Sequence, residues 1–239
     1  MRRLTQGLSE LGLELSSAQA KQFKLYYQEL LEWNTRINLT SITDYEEVQI
    51  KHFFDSVTVT LALTKADMDK PNLGIIDIGT GAGFPGLPLK IVLDKSRLVL
   101  LDSIGKKAAF LRHISQKLKL TNVEVVTGRA EEVARLPLYR QQFDLVVSRA
   151  VALLPTIVEL ALPFCRIGGK FIAQKKGEIS PEIDKAEKAI NVLGGKLSQV
   201  KRIELREFTD ERYLVVIDKI NPTPEEYPRR PGMPKRRPI

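Results

Sequence analysis

The stretch IIDIGTGAGFPG, residues 75–86, places four glycines and a proline directly after an apolar run and before a helical stretch. Glycine lacks a Cβ and adopts positive φ without penalty, so Gly79, Gly81 and Gly83 let a ligand approach the main chain closely. Pro85 suits the opening turn of the following helix. A strand, a glycine turn and a helix in succession point to an α/β fold and make the turn a candidate nucleotide site. The spacing alone does not choose the nucleotide, because Gly81, Gly83 and Gly86 also satisfy the G-x-G-x-x-G pattern of dinucleotide sites. A glycine turn can also be no more than a tight connection.

The rest of the chain narrows the choice. LGIIDIG, RLVLLDS, NVEVVTG, FDLVVSRA and GGKFIAQKK are short apolar runs of strand type. The stretches between and after them, about 83–95, 104–119, 130–136, 151–163 and 180–193, read as helices. Strands alternating with helices predict a parallel, doubly wound sheet. KLSQVKRIELRE and ERYLVVIDKI then follow without a helix between them and predict a hairpin. A mostly parallel seven-stranded sheet ending in an antiparallel hairpin is similar to the Rossmann-like class I methyltransferases that use S-adenosylmethionine; a dehydrogenase would repeat β/α units instead. Upstream, Phe23, Tyr26, Tyr27, Leu30, Leu31 and Trp33 recur at helical spacing behind a Ser17 N-cap. A second helix opens at Thr43 or Asp44, and residues 65–74 read as a linker. The expected organisation is a helical extension over 1–66 packed on the core, a methyltransferase domain over 67–220, and a basic proline-rich tail over 221–239, too rich in proline for helix or sheet.

Two acids bear on the ligand. Asp77 lies inside the first strand, where a buried carboxylate is costly unless it orients the loop or meets a cation such as the ammonium or sulfonium of S-adenosylmethionine. Asp102 ends the second strand, placed to accept hydrogen bonds from both ribose hydroxyls. Either acid alone could simply cap a turn; together, at the ends of adjacent strands, they favour a nucleoside. The turn after the third strand, TGRAEEV, lies beside the adenine in this topology, which makes Ala130 and Glu131 candidates for contacts to the base. Phe84 is a candidate for the pocket lining or for the core. The fourth strand ends in Ser148-Arg149, without the Asn/Asp-Pro-Pro-aromatic of exocyclic-amine methylation and without the nucleophilic cysteine of pyrimidine-carbon methylation. An acceptor with a free lone pair, such as guanine N7, needs no proton removed before attack, so no general base is expected and no catalytic residue is assigned. Arg149 is then assigned to a carboxylate or phosphate.

Charge and cysteine usage set the compartment and the partner. The formal net charge is +8. Residues 1–66 carry 7 Lys+Arg against 8 Asp+Glu, residues 67–169 carry 14 against 10, and residues 170–239 carry 16 against 11, so the excess lies outside the N-terminal segment. A basic surface fits a polyanion, although a mildly basic enzyme without such a partner is also common; Lys175, Lys176, Arg229, Arg230, Lys235, Arg236 and Arg237 are the candidate RNA contacts, with solvated disorder as the alternative reading of the tail. The single cysteine, Cys165, excludes an intramolecular disulfide; it is placed along the helix after the fourth strand as buried packing. No metal-ligand cluster and no apolar leader are visible, which predicts a cytoplasmic protein with no metal and no membrane association. His52 and the N-terminal aromatics read as packing residues and not as catalytic or base-stacking groups.

EWNTRINLTSI, KHFFDS, DIGTGAGFPGLPL, LLDSIGKKAAFL, GRAEE, SRAVA and the ending YPRRPGMPKRRPI together resemble the bacterial ribosomal RNA small-subunit methyltransferase G family, also called glucose-inhibited division protein B, over essentially the whole chain. The resemblance implies S-adenosylmethionine as donor and N7 of a guanine in the decoding-region hairpin of 16S ribosomal RNA as acceptor. The substrate is then 16S ribosomal RNA or a small-subunit precursor, with no protein partner required. The resemblance places cofactor contacts at Gly79, Phe84, Ala130, Glu131 and Arg149, with Asp102 near the ribose. Lys90, Lys106 and Lys107 depart from the family pattern only in what reads as surface charge. The alternatives are a methyltransferase of another RNA or of a small molecule, and a non-catalytic ribosome-assembly factor on the same fold.

Overall fold

The computed structural model describes residues 1–239. Helices α1 (Arg2–Glu10) and α2 (Ser17–Asn34) precede an irregular helical run made of α3 (Tyr45–Val48), a π-helical turn (Gln49–Phe54), α4 (Asp55–Val57) and a 3-10 turn (Thr58–Ala62). The one-turn helix α5 (Lys65–Met68) leads into β1 (Gly74–Ile78), α6 (Gly86–Val92), β2 (Arg97–Asp102), α7 (Gly105–Lys117), β3 (Val123–Thr127), α8 (Ala130–Val133), β4 (Phe143–Arg149), α9 (Leu154–Ala161), β5 (Cys165–Lys176) and α10 (Ser180–Val192). β6 (Gly195–Arg202), β7 (Arg212–Lys219) and the single turn α11 (Met233–Arg236) complete the chain.

The strands form one sheet in the order β3-β2-β1-β4-β5-β7-β6. β1 to β5 run parallel, and β7 inserts antiparallel between β5 and β6, as the terminal hairpin predicts. β1 is buried along its whole length because helices cover both faces of the sheet. The strand order reverses between β1 and β4, so the crevice at their carboxyl ends is where an open parallel sheet binds ligands. On one face, α6 and α7 share a core with Phe23, Tyr26, Leu30, Phe53 and Phe54 of the N-terminal helices. On the other, α9 and α10 bury Ile157, Val158, Ala186 and Ile190 against Val146, Phe171 and Val215.

Several local expectations change. Ser16, not Ser17, caps α2: its Oγ accepts from the Gln19 amide, and the Gln19 side chain accepts from the Ser16 amide. That reciprocal pair favours the earlier serine because glutamine stands three residues after it. Asp44 is the cap of α3. The linker over 65–74 contains α5, closed by a reciprocal Thr64–Asp67 pair. Residues 2–10 form a helix of their own because Leu4 and Leu8 are buried on the N-terminal core. Cys165 opens β5 instead of lying in a helix, and burial pushes its thiol up to about 12. Lys90 is not surface charge: it is 1% exposed, and its ammonium donates to the Asp94 and Ser96 carbonyls that close the α6–β2 turn.

The tail departs most from the sequence reading. It is not purely extended: Met233–Arg236 forms a helical turn, and Thr223, Pro228 and Pro234 are buried among otherwise mostly exposed residues. Prolines cannot donate to a sheet, so the segment offers carbonyls, and arginine forks satisfy them. Arg140 donates to the carbonyls of Thr223, Pro224 and Tyr227, and Arg135 to those of Glu225, Glu226 and Pro228. Arg229 grips both carboxylate oxygens of Glu159, a side chain fully buried in α9. This buried pair predicts that Arg229→Ala loses about 3 kcal/mol of stability, because it strands a buried carboxylate, whereas the double change Glu159→Leu with Arg229→Met recovers most of the loss. Urea denaturation of the three variants checks this; equal stability of the single variant and the parent would contradict it.

Candidate active site

The bend after β1 starts where the Gly79 and Thr80 amides both donate to the Leu101 carbonyl, at 2.8 and 3.2 Å. Gly79 has φ +66°, and a Cβ there would lie 2.6 Å from Val151 Cγ2. Gly83 has φ +97°, and its missing Cβ makes room for Leu87 Cδ1 and the Tyr26 hydroxyl. That hydroxyl donates to the Ala82 carbonyl at 2.5 Å and so pins the loop to α2.

Two carboxylates shape the loop. Asp77 Oδ2 accepts from Thr80 Oγ1 at 2.6 Å and from the Gly86 amide at 2.8 Å, which ties β1 to the first turn of α6. Its Oδ1 is buried with no protein partner. Burial pushes the Asp77 carboxyl up to about 7, against the opposing pull of the Thr80 and Gly86 hydrogen bonds and of Arg149. Asp102 Oδ2 accepts from the Gly81 amide and Oδ1 from the Ile104 amide, each at 2.9 Å. A carboxylate accepts about four hydrogen bonds, so Asp102 keeps lone pairs for two hydroxyls.

A cleft opens at the carboxyl ends of β1, β2 and β3, and Gly79, Asp102, Ala130 and Glu131 are among its lining residues. Four of the sequence candidates thus meet in one place. Asp77, Gly81 and Gly83 lie behind them and build the bend. The chemistry suits S-adenosylmethionine: a glycine backbone at Gly79 in the cleft lining, a carboxylate at the end of β2, an acid at the start of α8, and, behind the lining, a partnerless buried oxygen on Asp77 that an ammonium would satisfy.

Phe84 and Arg149 stand elsewhere. The Phe84 ring is in the core, stacked on His52 with centroids 4.6 Å apart and on Tyr26 at 5.5 Å, with the Arg149 guanidinium 4.9 Å above it. Arg149 donates to Asp55 Oδ2 at 2.8 Å and to the Lys51 carbonyl at 3.1 Å. Arg212 of β7 takes the other Asp55 oxygen. Asp55 therefore joins β4, β7 and the N-terminal segment, a role that the sequence reading did not assign. The signal lay in KHFFDS, an acid in a run of buried aromatics that needs cationic partners. Burial, with Arg149 next, lowers His52 to about 3, so its ring is neutral; Thr40 Oγ1 sits 2.7 Å from its Nε2.

Among the basic candidates, Lys175 pairs with Glu182 at 2.7 Å, Lys176 with Asp210 at 3.1 Å and Arg229 with Glu159. Arg230, Lys235, Arg236 and Arg237 are exposed, and their side chains pair with no acid. The sequence reading also missed that Gly232, Pro234 and Lys235 of the tail line the cleft. Only the three-dimensional path of the tail reveals it.

Asp77 has a consequence for pH. An acid whose pKa is raised on folding holds its proton longer in the folded chain, so stability falls as pH rises from about 4 to about 7 and is then constant. Asp77→Asn removes that contribution. Its urea midpoint should therefore fall less than the parent's between about pH 4.5 and 7.5, and identical pH slopes would contradict the assignment.

A family model described as GidB, rRNA small subunit methyltransferase G, matches residues 19–212. A protein of Dehalococcoides mccartyi named ribosomal RNA small subunit methyltransferase G is 51% identical over the full length of both chains. A protein of the same name from Roseiflexus castenholzii is 50% identical over 95% of each. Among solved structures, an O-methyltransferase from Bacillus cereus in complex with SAH superposes with a TM-score of 0.57 at 19% identity, covering 91% of this chain and 97% of that one, a likeness of fold. With the glycine bend, the flanking carboxylates and the hairpin-ended sheet all in place, this chain belongs to the GidB family of rRNA small subunit methyltransferase G proteins.

Proposed function

We propose that this chain transfers a methyl group from S-adenosylmethionine to N7 of a guanine in the decoding-region hairpin of 16S ribosomal RNA, on the RNA or on a small-subunit precursor, in the cytoplasm and without a protein partner. The observation that carries the reading is the pair of carboxylates, Asp77 and Asp102, at the ends of adjacent parallel strands around a bend whose glycine backbone is open to a ligand. No helix is long and apolar enough to cross a membrane.

When bound, S-adenosylmethionine supplies an electrophilic methyl group on a sulfonium. Asp102 would hold the ribose through its remaining lone pairs, Ala130 and Glu131 would meet the base, and the partnerless oxygen of Asp77, behind the lining, would attract the ammonium. Guanine N7 carries a lone pair at neutral pH, so no proton has to leave before attack. His52 fits this, since a ring with a pKa near 3 has its neighbours as partners and no role as an acid. Cys165 pairs in register with Phe143 at the start of β4, at the opposite end of the sheet from the cleft, and its raised pKa keeps it a thiol. Orientation in a closed site contributes about 7 to 11 kcal/mol to such a reaction, and the rigid bend is suited to supply it.

For the RNA, the exposed cations Arg230, Lys235, Arg236 and Arg237, which pair with no acid, are the favoured phosphate contacts, and Lys235 among them lines the cleft. Lys175, Lys176 and Arg229 are engaged by acids and serve mainly to hold the fold. Residues 1–66 act as a helical extension that fixes Arg149 through Asp55, residues 67–220 as the catalytic domain, and residues 221–239 as the basic tail.

The test is transfer of labelled methyl groups to 16S ribosomal RNA from cells lacking the protein, with mapping of the product. The expected label is on guanine N7; a label on an exocyclic amine or a pyrimidine would overturn the acceptor assignment. Asp102→Ala should weaken S-adenosylhomocysteine binding by about tenfold through loss of hydrogen bonds to a charged group. An unchanged calorimetric affinity would make Asp102 purely structural.

A further inference from the structure

The geometry points to the C-terminal segment 231–237 as the closing wall of the cofactor cleft, with the Gly232 amide as the group that positions Glu131 to recognise the base. The inference rests on the cofactor reading above and adds to it a set of residues outside the catalytic domain.

Four observations carry it. Gly232, Pro234 and Lys235 line the same cleft as Gly79, Asp102, Ala130 and Glu131. The Gly232 amide donates to Glu131 Oε1 at 3.0 Å, across 101 residues of sequence. Pro234 is buried, and its carbonyl accepts from Thr156 Oγ1 of α9 at 3.3 Å, so the wall is seated on the catalytic domain. Upstream, the segment is fixed by Arg135, Arg140 and the Arg229–Glu159 pair, and Arg229 also donates to the Arg237 carbonyl at 2.7 Å, which closes the turn on itself. The cleft thus has a nucleotide-fold floor and a wall that arrives last in the chain.

The bond to Glu131 sets a chemical preference. With Oε1 held by Gly232, the carboxylate rotamer is fixed, and Oε2 has no protein donor. An acceptor oxygen at the base end of a nucleoside site attracts an exocyclic amino group and repels a carbonyl oxygen. Adenine is then preferred over hypoxanthine. A Glu131 freed from Gly232 would swing among rotamers and lose that preference, because a group held in one geometry discriminates better than a mobile one.

The experiment compares the intact chain with a chain ending at Arg230, which keeps the contacts of Arg135 and Arg140 to residues 223–228 and the Arg229–Glu159 pair. Binding of S-adenosylhomocysteine and of its 6-oxo analogue, S-inosylhomocysteine, is measured by calorimetry for both chains. The expected result is about tenfold weaker binding of S-adenosylhomocysteine by the shortened chain, with its preference for the adenine form reduced toward unity. A shortened chain with unchanged circular dichroism that keeps both affinity and preference would overturn the inference. Amide hydrogen exchange on the intact chain provides a second measurement that needs no variant. Gly232, Met233, Lys235 and Arg236 should exchange about tenfold more slowly with saturating S-adenosylhomocysteine than without it, and equal rates would overturn the inference. Failure of the intact chain to bind S-adenosylhomocysteine at all would remove the cofactor reading itself, a result distinct from either.

Discussion

The carboxylate of Asp77 is the point on which the site depends. It is buried in the middle of the sheet and holds Thr80 and Gly86 on one oxygen, so the glycine bend is tied at its start and at its end to the strand that launches it. A buried acid without full compensation costs stability, and the raised pKa of Asp77 expresses that cost. What the fold gains is a bend whose shape is set before any ligand arrives. Gly79 cannot carry a side chain, because Val151 from the loop after β4 fills that space. Val151 and Gly79 thus line the same cleft.

Around that bend the two ends of the chain meet the sheet on different sides. The N-terminal segment reaches in with Asp55, which binds Arg149 and Arg212 together and stacks Arg149 over Phe84. One carboxylate between two guanidiniums makes a locally cationic junction of fixed geometry. The C-terminal segment reaches in from the opposite side through Glu159 and Glu131. The sheet thus lies between two sets of contacts, Asp55 on Arg149 and Arg212 at one side and Arg229 on Glu159 with Gly232 on Glu131 at the other.

The sheet and the bend were legible in the sequence because both are written locally. Strand runs such as RLVLLD alternate with helical stretches, and the glycines, Asp77 and Asp102 sit within one strand-turn unit of each other. Even the antiparallel insertion of β7 follows from the missing helix before ERYLVVIDKI. The unreadable parts depend on partners distant in sequence. Lys90 looks like surface charge until the Asp94 and Ser96 carbonyls close over it. Arg229 and Lys175 look like RNA contacts until Glu159 and Glu182 face them. The tail reads as an unattached basic proline-rich segment because its anchors, Arg135 and Arg140, lie more than eighty residues away. Phe84 and Arg149 were recognisable as residues that matter, but not their place against His52 and Asp55, outside the cleft lining.

The central claim is that the nucleoside of the methyl donor rests on this bend, between Asp102 and the start of α8. The most direct measurement is a crystal structure with S-adenosylhomocysteine bound. The account predicts ribose hydroxyls on Asp102, the amino group of the amino-acid end on the free oxygen of Asp77, and adenine between Glu131 and the tail. Density for the nucleoside at any other position, or with Asp102 turned away from it, would contradict the account.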